Sequence, residues 1–250
     1  MRRSRPRTAT VLLCSTTALA ALAALATVPA SAHGRGDLKG AVTIVPGRAG
    51  VLGISGYTGP ALGTGSTLTL TAPGRTTITD LPLDAQDYRG AVAADGRRGT
   101  YIFTGTTARN PWAGRSFPFV IAVPADAVPG SRPAGCALRL TDAGGALKGQ
   151  GTCTVTVGLP EPTLVRPTSG VSLGPRPQVA GKAYPGARVA VRDKDEKVVC
   201  STTAGPDGAW SCAPGPALPL GGNRLQATAT LNGVSAASEQ VAITVGSLQR

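Results

Sequence analysis

Few residues in this chain have the type and spacing to do chemistry. Its one histidine is His33, so a Ser-His-Asp triad, a Cys-His pair and most zinc arrangements lack their central side chain. Asp80, Asp84, Asp87 and Asp95 form the densest carboxylate group, and a pair of carboxylates at the right separation could hydrolyse a glycoside. Their context reads differently. Asp80-Leu81-Pro82 and Asp95-Gly96 are turn sequences, in which Asp bonds its own backbone. Asp193, Asp195 and Glu196, with Asp207, offer the hard oxygens that calcium takes. Lys194 and Lys197 interrupt them and no EF-hand loop is present, so a solvated hairpin tip is the better reading. Arg35-Gly36-Asp37 spells an adhesion tripeptide, a match short enough to arise by coincidence. The stretch best suited to binding is Arg109-Asn110-Pro111-Trp112-Ala113-Gly114-Arg115. A Trp on a Pro/Gly loop, with Arg109 and Arg115 on either side, could stack on a sugar ring or anchor a protein partner. The competing reading has Trp112 plugging one end of a β-sandwich.

The elements that must position these residues begin after a leader. Arg2, Arg3, Arg5 and Arg7 form a basic start, an apolar run spans Val11 to Leu25, and Ala30-Ser31-Ala32 supplies small residues for cleavage. Residues 1–32 are therefore read as a secretory signal peptide, and the mature chain starts at His33. Cys14 leaves with the leader, and the four remaining cysteines suit two disulfides in an oxidising compartment. Cys136 and Cys153 flank Gly144-Gly145, a two-residue turn signal. Pairing them across an antiparallel hairpin puts Leu138 and Leu140 on the face of Cys136, and Val155 and Val157 on that of Cys153. Cys200 and Cys212 flank Gly205-Pro206-Asp207-Gly208. If they face each other in a hairpin, Thr202 opposes Trp210 and Ala204 opposes Gly208, and Val198, Cys200, Trp210 and Cys212 share one apolar face. The expected bonds are thus Cys136–Cys153 and Cys200–Cys212. Trp210 is read as core.

Period-2 alternation recurs at residues 41–45, 67–71, 101–104, 119–123 and 154–157, bounded by Gly, Pro or Asp, and no stretch of the mature chain has a helical apolar period. The fold class that follows is all-β: two consecutive Ig-like β-sandwich domains, each with one hairpin disulfide. The first is placed at residues 33–158 and the second at 163–250, joined by a Pro-rich linker at 159–162. The net charge of +12 falls to +8 once the leader's four arginines are gone, and the excess is spread along the chain. A nucleic-acid binder would show a Lys/Arg stripe; Arg97-Arg98 is the longest basic run. Spread positive charge outside a bacterium fits weak attraction to anionic wall polymers, or simple solubility.

The second domain carries a family resemblance. Val179-Ala180-Gly181-Lys182-Ala183 leads to Pro185-Gly186-Ala187-Arg188-Val189-Ala190-Val191, then Asp207-Gly208-Ala209-Trp210, Leu218 to Gly222, and Leu225 to Thr230. This order resembles bacterial Ig-like domains of secreted and surface proteins, of the actinobacterial type. It departs from them at Leu231-Asn232-Gly233-Val234, where Asn-Gly makes a two-residue hairpin turn. The resemblance implies a sandwich fold and leaves the role open, because such folds host many functions. The function expected is a secreted, non-enzymatic binding or structural module, in the medium or at the cell wall, with no cofactor and no metal. Its expected partner is a wall polymer, glycan or surface protein, with no nucleic acid and no membrane anchor once the leader is cut. Two alternatives stay open: a secreted hydrolase using carboxylates, and a small-ligand carrier with a sizeable apolar cleft.

Overall fold

The computed structural model describes residues 36–83, 85–106 and 109–246; the predicted leader, His33, Arg35 and Asp84 lie outside these residues. Among the described residues every regular element is a strand. Alternation sets the strands and their faces. In Thr67–Thr71, Leu68 and Leu70 are buried while the three threonines face out, as a pleated strand covered on one side requires.

The first sandwich contains β1 (Gly36–Ile44), β2 (Ala49–Ile54), β3 (Thr67–Thr71), β4 (Thr77–Asp80), β5 (Tyr88–Val92), β6 (Arg98–Phe103), β7 (Phe117–Ala122), β8 (Ala137–Thr141) and β9 (Leu147–Val157). A six-stranded sheet, in the order β1-β9-β8-β3-β6-β5, packs on a three-stranded sheet, β2-β7-β4. The core between them holds Leu52, Leu70, Tyr101, Phe119, Ile121 and Leu140, all buried. The β1–β9 pair is parallel. Gly151 makes that approach possible, since a Cβ there would stand 1.7 Å from the Leu38 carbonyl oxygen. Lys39 and Ser55 exchange backbone hydrogen bonds of 2.9 and 3.1 Å, which joins β1 to the end of β2 and closes that corner.

The Cys136–Cys153 disulfide staples β8 to β9. Leu138 pairs with Gly151 and Leu140 with Gly149, the register expected from the cysteines, and Leu138, Leu140, Val155 and Val157 are buried. The turn is longer than the two-residue loop expected. Asp142 N donates to Ala146 O at 3.0 Å, and Gly145 sits at φ 81° after a register shift at Thr141. Asp142 Oδ1 accepts from Ala146 N at 2.9 Å, and the Lys148 ammonium holds this carboxyl below the usual carboxylate range.

The second sandwich contains β10 (Thr163–Arg166), β11 (Ser172–Leu173), β12 (Val179–Lys182), β13 (Arg188–Arg192), β14 (Val198–Thr203), β15 (Ala209–Cys212), β16 (Gly221–Leu231), β17 (Val234–Ala237) and β18 (Val241–Val245). The sheet β10-β12-β15 faces the sheet β11-β18-β16-β13-β14, with β17 paired to β16. Val179, Val189, Val191, Leu225, Ala227 and Trp210 are buried between them. Gly181 lets β10 and Trp210 come close, because a Cβ there would meet Thr163 O at 1.8 Å and Trp210 Cζ2 at 2.8 Å. The Asn232-Gly233 turn forms as expected, with φ of 48° and 79° and Leu231 paired to Val234.

The disulfide Cys200–Cys212 also forms, but the hairpin ladder drawn around it does not. Ala204 N donates to Ala187 O and Ala183 N to Gly208 O, both at 2.9 Å, so Ala204 and Gly208 are taken by different neighbours. Strand β14 joins β13 in the larger sheet, while β15 joins β12 in the smaller one. The bond therefore ties the edges of two sheets, where the sequence had placed it within one ladder. Val198 also leaves the apolar face expected for it. The register slips so that Val191 pairs with Cys200 and Arg192 with Val198, leaving Val199 as a bulged residue. Val199 is buried and Val198 turns outward, 47% exposed.

The end of the first sandwich's last strand and the residues after it are tied down by burial and backbone bonds. Val157 is buried in the first core and Leu159 in the second, with Gly158 N bonded to Ile44 O at 2.8 Å. Asn232 Nδ2, at the tip of the β16–β17 hairpin, donates to Pro129 O at 3.0 Å.

Candidate functional site

The Arg109–Arg115 loop is held from inside. Asn110 Oδ1 accepts from Trp112 N at 3.1 Å and its amide donates to Gly59 O at 2.8 Å. These bonds turn the indole inward, where it is 2% exposed. Its ring lies 4.9 Å from Phe117 and edge-on to Tyr88 at 5.5 Å, and Nε1 donates to Ser66 Oγ at 2.8 Å. Trp112 has no face free for a sugar, so the stacking platform is withdrawn and the ring belongs to the core. An indole whose one polar atom finds a buried hydroxyl is cheap to bury. Arg109 and Arg115 remain at the surface around a cleft of about 310 Å³ with Asp87 and Tyr88. The Arg115 guanidinium sits 5.3 Å from the centre of the Tyr88 ring. Burial raises the Tyr88 phenol above its ordinary value, with Arg115 opposing.

The carboxylates serve local geometry. Asp80 Oδ1 accepts from Leu81 N at 2.7 Å and Asp95 Oδ1 from Arg97 N at 2.9 Å. Asp193 is buried, and its Oδ1 closes the β13–β14 loop by accepting from Asp195 N and Lys197 N, both at 3.0 Å. Asp207 stands on a different turn, beside Lys182 at 3.6 Å. The Ala209 N–H, with Lys182, holds its carboxyl below the usual range. Among the described residues no three His, Cys, Asp or Glu side chains converge as a metal would need.

What the sequence did not show is a surface assembled from distant strands. Leu68, Leu70, Tyr101, Leu138 and Leu140 point into the core, so their neighbours along β3, β6 and β8 form the outer face of the large sheet. One row crosses it as Asp37, Gln150, Arg139, Thr69, Thr100 and Ala91. Thr71 pairs with Arg98, Thr67 with Ile102, Ile102 with Arg89, and Lys39 with Thr152. Threonine hydroxyls bond across strands, Thr67 to Thr141 at 2.8 Å and Thr69 to Thr100 at 3.2 Å. Lys39, Arg89, Arg98 and Arg139 are exposed on this face, and Asp37 lies in the same row as Arg139. Among the described residues none of the four cations has an ion pair. No local signal could have found them, since each lies on a different strand.

The second sandwich carries an open cleft of about 660 Å³. Val171, Leu173, Pro175 and Pro177 give it apolar walls, and Arg166 and Arg176 stand at its rim. Among the described residues no carboxylate and no aromatic ring lines it.

Comparison with known proteins places the second sandwich. Residues 174–246 match the family model of the bacterial Ig domain. The matched stretch begins at Gly174, within the lining of the cleft, and ends one residue after β18. Among solved structures, the BSP domain of a biofilm-associated protein is 16% identical with a TM-score of 0.30, covering 85% of this chain and 30% of that one. The chain therefore spans about a third of that protein's length. The third cohesin of ScaC from Acetivibrio cellulolyticus, solved with the ScaB dockerin, is 12% identical with a TM-score of 0.32, covering 48% of this chain and 98% of that one. The D0-D1 domain of intimin is 6% identical with a TM-score of 0.27, covering 84% of this chain and 98% of that one. No match was found among curated proteins.

Proposed function

We propose that this chain is a secreted, non-enzymatic module that holds to anionic polymer at the bacterial cell surface through the outer face of its first sandwich. One observation supports this reading above the rest: charge that is scattered in sequence is gathered, as Lys39, Arg89, Arg98 and Arg139, on one threonine-lined face. From β1 to β5 that face spans five strand spacings, roughly 24 Å, which suits a long ligand lying across it. The bacterial Ig domain at residues 174–246 agrees with a binding or structural role.

The test is sedimentation of the purified chain with isolated bacterial envelopes across a salt series. Exposed charges act over about 8 Å at physiological salt and about 3 Å at 1 M, so binding is expected to fall steeply as salt rises. Cations near an anionic surface contribute about 1 kcal/mol each; Arg98→Gln with Arg139→Gln is then expected to weaken binding by roughly 30-fold at low salt. Binding that ignores both salt and the double substitution would remove this face from consideration.

A further inference from the structure

The cleft of the second sandwich has a chemistry that the cationic face does not share. Its walls are fixed before any ligand arrives. Thr244 N donates to Val171 O at 3.1 Å, Gly246 N to Leu173 O at 2.8 Å and Leu218 N to Pro175 O at 2.8 Å. Pro167, Pro175 and Pro177 have set φ angles and no N–H, so these wall positions are stiff and offer no competing backbone donor. The volume of about 660 Å³ lies in the range of ordinary ligand sites, which are mostly apolar with a few placed polar groups. Here the charged groups are Arg166 and Arg176, both exposed and, among the described residues, without an ion pair.

We propose that this cleft docks an extended segment of a partner protein that carries a carboxylate beside an aliphatic side chain. The guanidinium fork fits a carboxylate in a two-bond arrangement, and Val171, Leu173 and the prolines take the neighbouring hydrocarbon. A sugar polymer meets no aromatic ring to stack on in this lining. A polyphosphate satisfies the arginines and leaves the apolar walls uncovered. An Asp or Glu flanked by Leu, Ile or Val satisfies both, and a pre-formed cleft spares the cost of ordering the receptor.

The experiment is to pan a displayed library of random peptides against the full chain. The enriched sequence is then made as a fluorescein-labelled peptide, and its binding followed by fluorescence anisotropy. Enrichment of a carboxylate within two positions of Leu, Ile or Val is expected. Replacing that carboxylate by its amide, or Arg166→Gln with Arg176→Gln in the protein, is expected to weaken binding at least tenfold without moving the melting temperature, because both arginines are exposed. Val171→Asp is expected to abolish it. Arg98→Gln with Arg139→Gln, on the face of the first sandwich, is expected to leave it unchanged. Failure to enrich acidic-aliphatic peptides, or equal binding by the Arg166/Arg176 variant, would overturn the proposal. So would loss of peptide binding in the Arg98/Arg139 variant, which puts the peptide on the other face. Displacement of the peptide by decanoate at equal concentration would assign the cleft to a small amphiphile instead, and also overturn it.

Discussion

Trp112→Ala separates a structural indole from a binding one. Removing a buried Trp from a packed core costs about 3–5 kcal/mol, the lost transfer energy plus the cavity left behind. Here the side chain is 2% exposed and touches both Phe117 and Tyr88, so the site has little freedom to collapse. The lost Nε1 bond adds little to this. Ser66 Oγ still donates to Gly63 O at 2.7 Å, so no buried donor is orphaned. For a sandwich of this size, melting as its own unit, each kcal/mol moves the melting temperature by roughly 3–6 °C, which gives a fall of roughly 9–30 °C for the first sandwich. Calorimetry reads it directly. Trp210 is then the only indole left, so fluorescence follows the second sandwich separately, and its transition is expected to stay in place. Trp112→Phe keeps part of the ring contact and leaves a smaller cavity, so it is expected to cost less than Trp112→Ala and to leave envelope binding intact. A melting temperature unchanged by Trp112→Ala, together with lost envelope binding, would refute the buried placement.

Gly151→Ala puts a methyl against the Leu38 carbonyl at 1.7 Å, and forcing β1 away from β9 is expected to cost about 3 kcal/mol, visible as a lower urea midpoint; an unchanged midpoint would contradict the close parallel pairing. Burial raises the Tyr101 phenol to about 12, whereas an unfolded tyrosine titrates near 10. Above that lower value the unfolded chain gives up a proton that the fold retains, so stability is full below about pH 10 and declines as pH rises through about 12. Tyr101→Phe is expected to flatten that alkaline loss in denaturation measured against pH, and an identical slope would count against it. Leu159 lies in the second core, 4% exposed, so a fragment of residues 159–250 is expected to be about 1.5–3 kcal/mol more stable than 163–250. Equal urea midpoints for the two fragments would show that Leu159 contributes nothing there.

Several features were legible because they are local. Thr67–Thr71 alternates with period 2 and becomes a half-buried strand. Asn232-Gly233 demands positive φ twice and takes it. The Cys136–Cys153 register follows from apolar rows on either side of one turn, and the structure keeps it from Leu138 to Leu140. Both disulfides were readable, since cysteines near a turn come close whichever sheets their strands later join.

The sequence by itself determined that the chain is built of strands, which side of the alternating runs such as Thr67–Thr71 is apolar, and where the second sandwich resembles bacterial Ig-like domains. It did not determine which strands become neighbours. The parallel β1–β9 pair, the splitting of β14 and β15 between two sheets, and the inward turn of Trp112 were settled by contacts between residues far apart in the chain. The cationic face is the clearest case. Lys39, Arg89, Arg98 and Arg139 are unrelated in sequence and become one surface once β3 lies between β8 and β6, with β1 and β5 at the edges. The physical reason is that alternation fixes only the two faces of a strand. Its partners are chosen by hydrogen bonds and burial that exist only after the sheets have packed.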